Sequence, residues 1–134
     1  MANTTPANRP LSPHLQVWRF TPTMAASITH RIFGVGLYTG TVALAAWTGA
    51  IALGAEAFAP VGAFFASPFG NFVIFGYIWS LCFHLLAGIR YLYFDSGRGL
   101  GPKTATQTSI AIFAGSIVLA ILIGLAALAA RGAS

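Results

Sequence analysis

The chain has 134 residues, 57% of them hydrophobic and only 7% charged, with a mean hydropathy of +0.78 and a formal net charge of +5. A water-soluble domain carries about a quarter charged residues, so this composition leaves too few charges to cover a water-facing surface and points to lipid as the solvent. The basic residues are spread along the chain rather than gathered in one patch, which excludes a nucleic-acid partner.

Residues 1–25 hold Pro6, Pro10, Pro13 and Pro22 and no apolar run. They read as a cytoplasmic N-terminal segment, neither signal peptide nor span. Beyond them, no Asp, Glu, Lys, Arg or His occurs from Ile32 to Ala55, from Ala57 to Phe83, or from Thr104 to Ala130. A crossing takes roughly 20 apolar residues as a helix, and hydrocarbon forces the backbone to satisfy its own hydrogen bonds. The runs are too long and too evenly apolar for barrel strands. They predict an all-α integral membrane domain over 26–134, with helices near 26–54, 67–94 and 105–130 and no room for a fourth crossing.

The first helix opens with "SITHRIFG", which sets Ser27, His30, Arg31 and Gly34 on one face by the three- and four-residue spacing. A hydroxyl, an imidazole and a guanidinium there read either as an interfacial anchor or as a binding site. In the second reading Arg31 pairs with a carboxylate such as a haem propionate, and Ser27 donates to a carbonyl oxygen. Gly34, Gly36, Gly40 and Gly49 in the same helix suit close approach of neighbouring helices.

The second helix carries "FHLLAGIRYLYFDSG", with His84, Gly88 and Tyr91 in one stripe. An ionisable side chain at membrane depth is a functional candidate. Its plain alternative is a neutral imidazole hydrogen-bonded to a neighbouring helix. Gly88 leaves room for a flat macrocycle, Tyr91 can bond its polar edge, and haem iron is commonly held by His. The lone cysteine, Cys82, is expected to pack within this helix.

Charge sets the topology. Arg9, Arg19 and Arg31 precede or open the first helix, Arg90, Arg98 and Lys103 flank the turn before the third, and Glu56 and Arg131 fall on the other side. The positive-inside rule places the N-terminus in the cytoplasm and the C-terminus outside. Depth adds a constraint. His84 precedes Asp95 by eleven residues, about 16 Å along a helix, whereas His30 is expected at the membrane boundary. The two should therefore be too far apart to share one iron, and a second axial histidine should come from another polypeptide.

These constellations, with "RPLSPHLQVW" upstream, resemble the cytochrome b membrane-anchor subunits of succinate dehydrogenase (succinate:quinone oxidoreductase, complex II). Arg9, Pro10, Ser27, His30 and Arg31 match the first signature of that family, and His84, Gly88, Arg90, Asp95 and Gly97 the second. The resemblance implies three transmembrane helices forming half of a heterodimeric haem-binding bundle in the bacterial cytoplasmic (inner) membrane. It implies that His84 is an axial ligand of haem b shared with a second membrane-anchor subunit. Ser27 and Arg31 would line a ubiquinone site, and His30, Arg31 and Tyr91 would contact the haem propionates. FAD and iron–sulfur clusters would reside in the partner flavoprotein and iron–sulfur subunits, where succinate is oxidised, and no catalytic residue of that step lies here. The chain departs from the family at Tyr91, where His is frequent, and at Phe33, where Ser or Thr is usual. Asp95 reads as part of a proton path or as a cap to Arg90 or Arg98. Two alternatives are an anchor of a related quinol:fumarate reductase and a haem-free small membrane protein with a structural histidine.

Overall fold

The computed structural model describes residues 18–132; most of the N-terminal segment, with Arg9, Pro10 and His14, lies outside them. Four helices follow in order, α1 (Pro22–Leu53), α2 (Ala55–Ala66), α3 (Pro68–Asp95) and α4 (Pro102–Gly132), and there is no strand among the described residues. α1, α3 and α4 are long and apolar enough to cross a membrane. α2 has 12 residues, about 18 Å, which is too short to span. It occupies what the sequence reading treats as a plain connection.

Local chemistry sets the helix starts. The Thr21 hydroxyl accepts the Met24 N–H at 3.3 Å, and Pro22 takes the first helical position, where its missing N–H costs nothing. This cap starts α1 at Pro22, about a turn ahead of the expected residue 26. Ser67 and Pro68 repeat the device, the Ser67 hydroxyl accepting the Gly70 N–H at 3.0 Å. α4 likewise begins on Pro102.

One residue, Gly54, joins α1 to α2, and its φ of +104° lies in the region that favours glycine. The turn from α2 to α3 depends on Gly70 for a different reason. A Cβ there would collide with the Phe64 carbonyl oxygen and the Phe65 Cα, backbone atoms that cannot rotate away. Gly70→Ala should force the two helices apart and cost about 1–3 kcal/mol. The expected result is a lower thermal midpoint of the purified complex with membrane insertion intact. An unchanged midpoint would show that the turn relaxes freely.

α3 lies between α1 and α4 and touches both. Its Phe83 is fully buried, with ring centroids 5.3 Å from Phe33 of α1 and 4.9 Å from Phe113 of α4. Ala26, Ala87 and Ile112 complete this cluster, and Cys82 is buried beside it in sequence. On α4, Ser109, Ser116 and Ala120 are sealed from the outside, a stripe of small residues that lets helices approach closely. Ser116 accepts the Trp79 indole N–H at 3.1 Å and donates to the Phe113 carbonyl at 2.9 Å, so its hydroxyl is satisfied. The outer surface is the apolar one: Leu53 is 81% exposed, Tyr38 75% and Phe72 71%. Lipid tails cover such a surface without penalty, whereas water would not. Trp18 and Phe20 flank Arg19 just before α1, all three exposed, in the manner of an interfacial belt.

Candidate functional site

The early turns of α1 and the latter half of α3 bring most of the singled-out residues together. The imidazoles of His30 and His84 stack face to face, ring centroids 4.2 Å apart and planes within 10°. Tyr91 meets His30 edge-on at 5.3 Å and 65°. His30 is thus held between two α3 side chains that share one helical stripe. On the neighbouring face of α1, the Arg31 guanidinium donates to the Ser27 hydroxyl at 3.2 Å. Ser27 is half-buried and Arg31 exposed.

The stack corrects the depth argument. With α1 starting at Pro22, His30 lies about 12 Å inside its helix and His84 about 16 Å inside α3, a difference of less than one turn. Arg31 does not mark the membrane boundary, because a long basic side chain can reach the interface from below it. The two histidines are neighbours. Their arrangement still does not offer both to one metal, since an imidazole binds through a lone pair in its ring plane and stacked rings aim these side by side.

His84 is the unusual member. Its Nδ1 is buried and, among the described residues, has no hydrogen-bond partner. A buried polar atom left unpaired costs about 1–3 kcal/mol, and most are paired. The edge of the ring carrying Cε1 and Nδ1 faces Gly34, where an added Cβ would sit 3.6 Å and 3.9 Å from those atoms. At Gly88, one turn along α3, a Cβ would meet nothing within 4 Å. Among the described residues, then, Nδ1 makes no cross-helix hydrogen bond, and the next turn of α3 leaves room at Gly88. No three His, Cys, Asp or Glu side chains among the described residues converge on one point. A single imidazole beside a bare backbone fits a flat macrocycle that brings its own equatorial ligands.

Arg90 plays a part the sequence reading did not assign. It is only 8% exposed, its Nε donates to the Thr108 hydroxyl at 3.0 Å and its Nη2 to the Ala105 carbonyl at 3.2 Å. Its guanidinium lies 4.4 Å from the centre of the Phe94 ring. It ties α3 to α4 and is not a free charge at the membrane surface. The Arg90 Nε and Nη2 donors thus go to α4 rather than to Asp95. Asp95 itself is exposed at the end of α3. The hydroxyls of Thr108 and Ser109 at the head of an apolar run were the available signal for a buried polar partner. Phe33 is turned into the core, edge-on to Trp79 at 5.1 Å.

Comparison with known proteins identifies the family. Residues 5–123 match the family model described as succinate dehydrogenase/fumarate reductase transmembrane subunit. The chain belongs to this family. The matched span takes in both halves of the site, from Ser27 to Asp95, and the α4 partners of Arg90. The succinate dehydrogenase cytochrome b556 subunit of Paracoccus denitrificans is 43% identical over 91% of this chain and 94% of its own length. That of Rickettsia prowazekii is 30% identical over 86% of this chain and 90% of its own. The mitochondrial succinate dehydrogenase cytochrome b560 subunit of Sus scrofa is 32% identical over 91% of this chain and 72% of its own. As a transmembrane subunit of this family, the chain is an all-helical membrane anchor with three candidate spans.

Proposed function

We propose that this anchor subunit binds haem b through His84, with the opposite axial ligand from a second anchor subunit, and that Ser27 and Arg31 line a ubiquinone-reduction site at its cytoplasmic end. The observation that carries the reading is the His84 imidazole, whose Cε1–Nδ1 edge is turned to Gly34, which leaves Nε2 as the nitrogen to offer iron, one helical turn from Gly88, where an added Cβ would meet nothing within 4 Å. The three relatives named above are succinate dehydrogenase subunits, which favours that complex over a quinol:fumarate reductase.

The division of labour follows from what the chain carries. It has one cysteine and no Gly-rich βαβ unit, so clusters and flavin belong to an iron–sulfur subunit and a flavoprotein. Those partners oxidise succinate and deliver electrons at the membrane face. Haem b, when bound, exchanges single electrons. His84 would hold it, and Arg31 and Tyr91 would provide polar groups for its propionates, while the His30 ring lies flat on that of His84. The bacterial cytoplasmic membrane, with the N-terminus inside, rests on Arg19, Arg31, Arg98 and Lys103, since Arg90 is buried and Arg9 lies outside the described residues.

Ubiquinone reduction takes two electrons and two protons, and negative charge builds on the carbonyl oxygens before protons arrive. The Ser27 hydroxyl accepts from Arg31, which leaves its own proton free to donate to such an oxygen. A charged donor behind that hydroxyl strengthens the bond it makes in turn. The bond tightens as the oxygen gains charge, so it favours the reacting state over bound substrate. Arg31 is exposed and Asp95 lies at the same end of the bundle, within reach of water that can supply protons.

Ser27→Ala tests the quinone half of the reading. One lost neutral hydrogen bond, about 0.5–1.5 kcal/mol, corresponds to a two- to twelve-fold slower succinate:ubiquinone activity. Activity with an artificial acceptor in the same membranes should be unchanged, and a proportional fall in both would place Ser27 in assembly instead.

A further inference from the structure

Resting on the assignment of His84 as haem ligand, we infer that His30 is a positioning residue whose flat ring sets the plane of the His84 imidazole. Histidines that ligate metals usually donate their second ring nitrogen to a carbonyl or carboxylate, and that bond fixes the ring about its axis. Here the device is missing, because Nδ1 of His84 has no partner among the described residues. Two residues of α1 lie against the ring. One is Gly34, near the Cε1–Nδ1 edge, where even an added Cβ would meet those atoms only at ordinary contact distance. The other is His30, lying flat on the ring face at 4.2 Å and 10°. Rotation of His84 about its own axis would swing its edge into that face.

His30 can resist this push because a second α3 side chain packs against it. Tyr91 meets it edge-on at 5.3 Å, and Tyr91 and His84 share α3. The α1 ring therefore touches two side chains of one helix, and turning His84 would disturb all three. Orientation matters because the π orbital of an axial imidazole mixes with one iron d orbital selected by the ring plane. The largest g value of an oxidised low-spin haem reads the relative planes of its two axial rings.

The test is electron paramagnetic resonance on the purified complex carrying His30→Phe or His30→Leu. Phenylalanine keeps a flat ring and loses the nitrogens; leucine loses the flat ring as well. The expected result is a wild-type largest g value in His30→Phe and a displaced one in His30→Leu. If His30→Leu fails to retain haem, retention with the wild-type g value in His30→Phe carries the same conclusion. Wild-type signals in both variants overturn the inference. So does an equal displacement or loss in both, which would assign the effect to the nitrogens of His30. His84→Ala separates this from the underlying reading: haem retained there with a wild-type spectrum and g values defeats the ligand assignment itself, whatever the His30 variants show.

Discussion

Replacing His84 with alanine should reduce the haem b content of the purified complex to less than a tenth of the wild type, while succinate oxidation with an artificial acceptor continues. The asymmetry follows from the surroundings of the ring. Removing a buried nitrogen that has no partner relieves about 1–3 kcal/mol. Losing the stack with His30 costs about 0.5–1.5 kcal/mol. The two roughly offset, so the helices should insert and assemble, and the lost function is ligation. The readouts are the reduced-minus-oxidised spectrum and the haem-to-flavin ratio. Unchanged values for both would remove His84 from the iron.

Arg31→Ala should slow succinate:ubiquinone activity by more than tenfold, a larger effect than Ser27→Ala. A hydrogen bond to a charged group is worth about 1.5–3 kcal/mol, and Arg31 has two uses for its donors. It donates to the Ser27 hydroxyl at 3.2 Å, and because Arg31 is exposed its other N–H groups can serve a bound oxygen. Without it the hydroxyl loses both orientation and polarisation. Arg31→Lys should recover only part of the rate, because an ammonium keeps the charge but not the planar fork. The check is the ratio of quinone-linked to artificial-acceptor activity. An unchanged ratio in Arg31→Ala would make the "SITHR" turn an interfacial cap and place the quinone elsewhere.

The architecture was largely legible because membrane helices announce themselves by the absence of charge. The runs ending at Ala55, Phe83 and Ala130 each overlap one of the three candidate spans, although the second begins within α2 and stops short of the end of α3. α2 was not legible: its Ala- and Phe-rich stretch continues the same apolar run, and Pro60 within it argues locally against helix. The early start of α1 at Pro22 and the start of α3 at Pro68 were in principle readable from the Thr-Pro and Ser-Pro pairs, which cap a helix and place proline at its first position.

Helical periodicity grouped His84 with Tyr91 correctly, since both touch His30. It could not supply the register of α1 against α3, which depends on where each helix begins and how its side chains interlock. Using Arg31 as a depth marker therefore misplaced His30. Arg90 misled in the opposite way. A basic residue near a helix end usually faces water, and only the Thr108 hydroxyl and Ala105 carbonyl of α4 make its burial tolerable.

The central claim is that this chain carries the histidine of a b-type haem within an assembled succinate dehydrogenase. The most direct measurement is the visible spectrum of the complex purified through a tag on this chain, recorded oxidised and after dithionite reduction. The account predicts a b-type α band together with co-purified flavoprotein and iron–sulfur subunits. A complex that contains those subunits and flavin but shows no α band would contradict it.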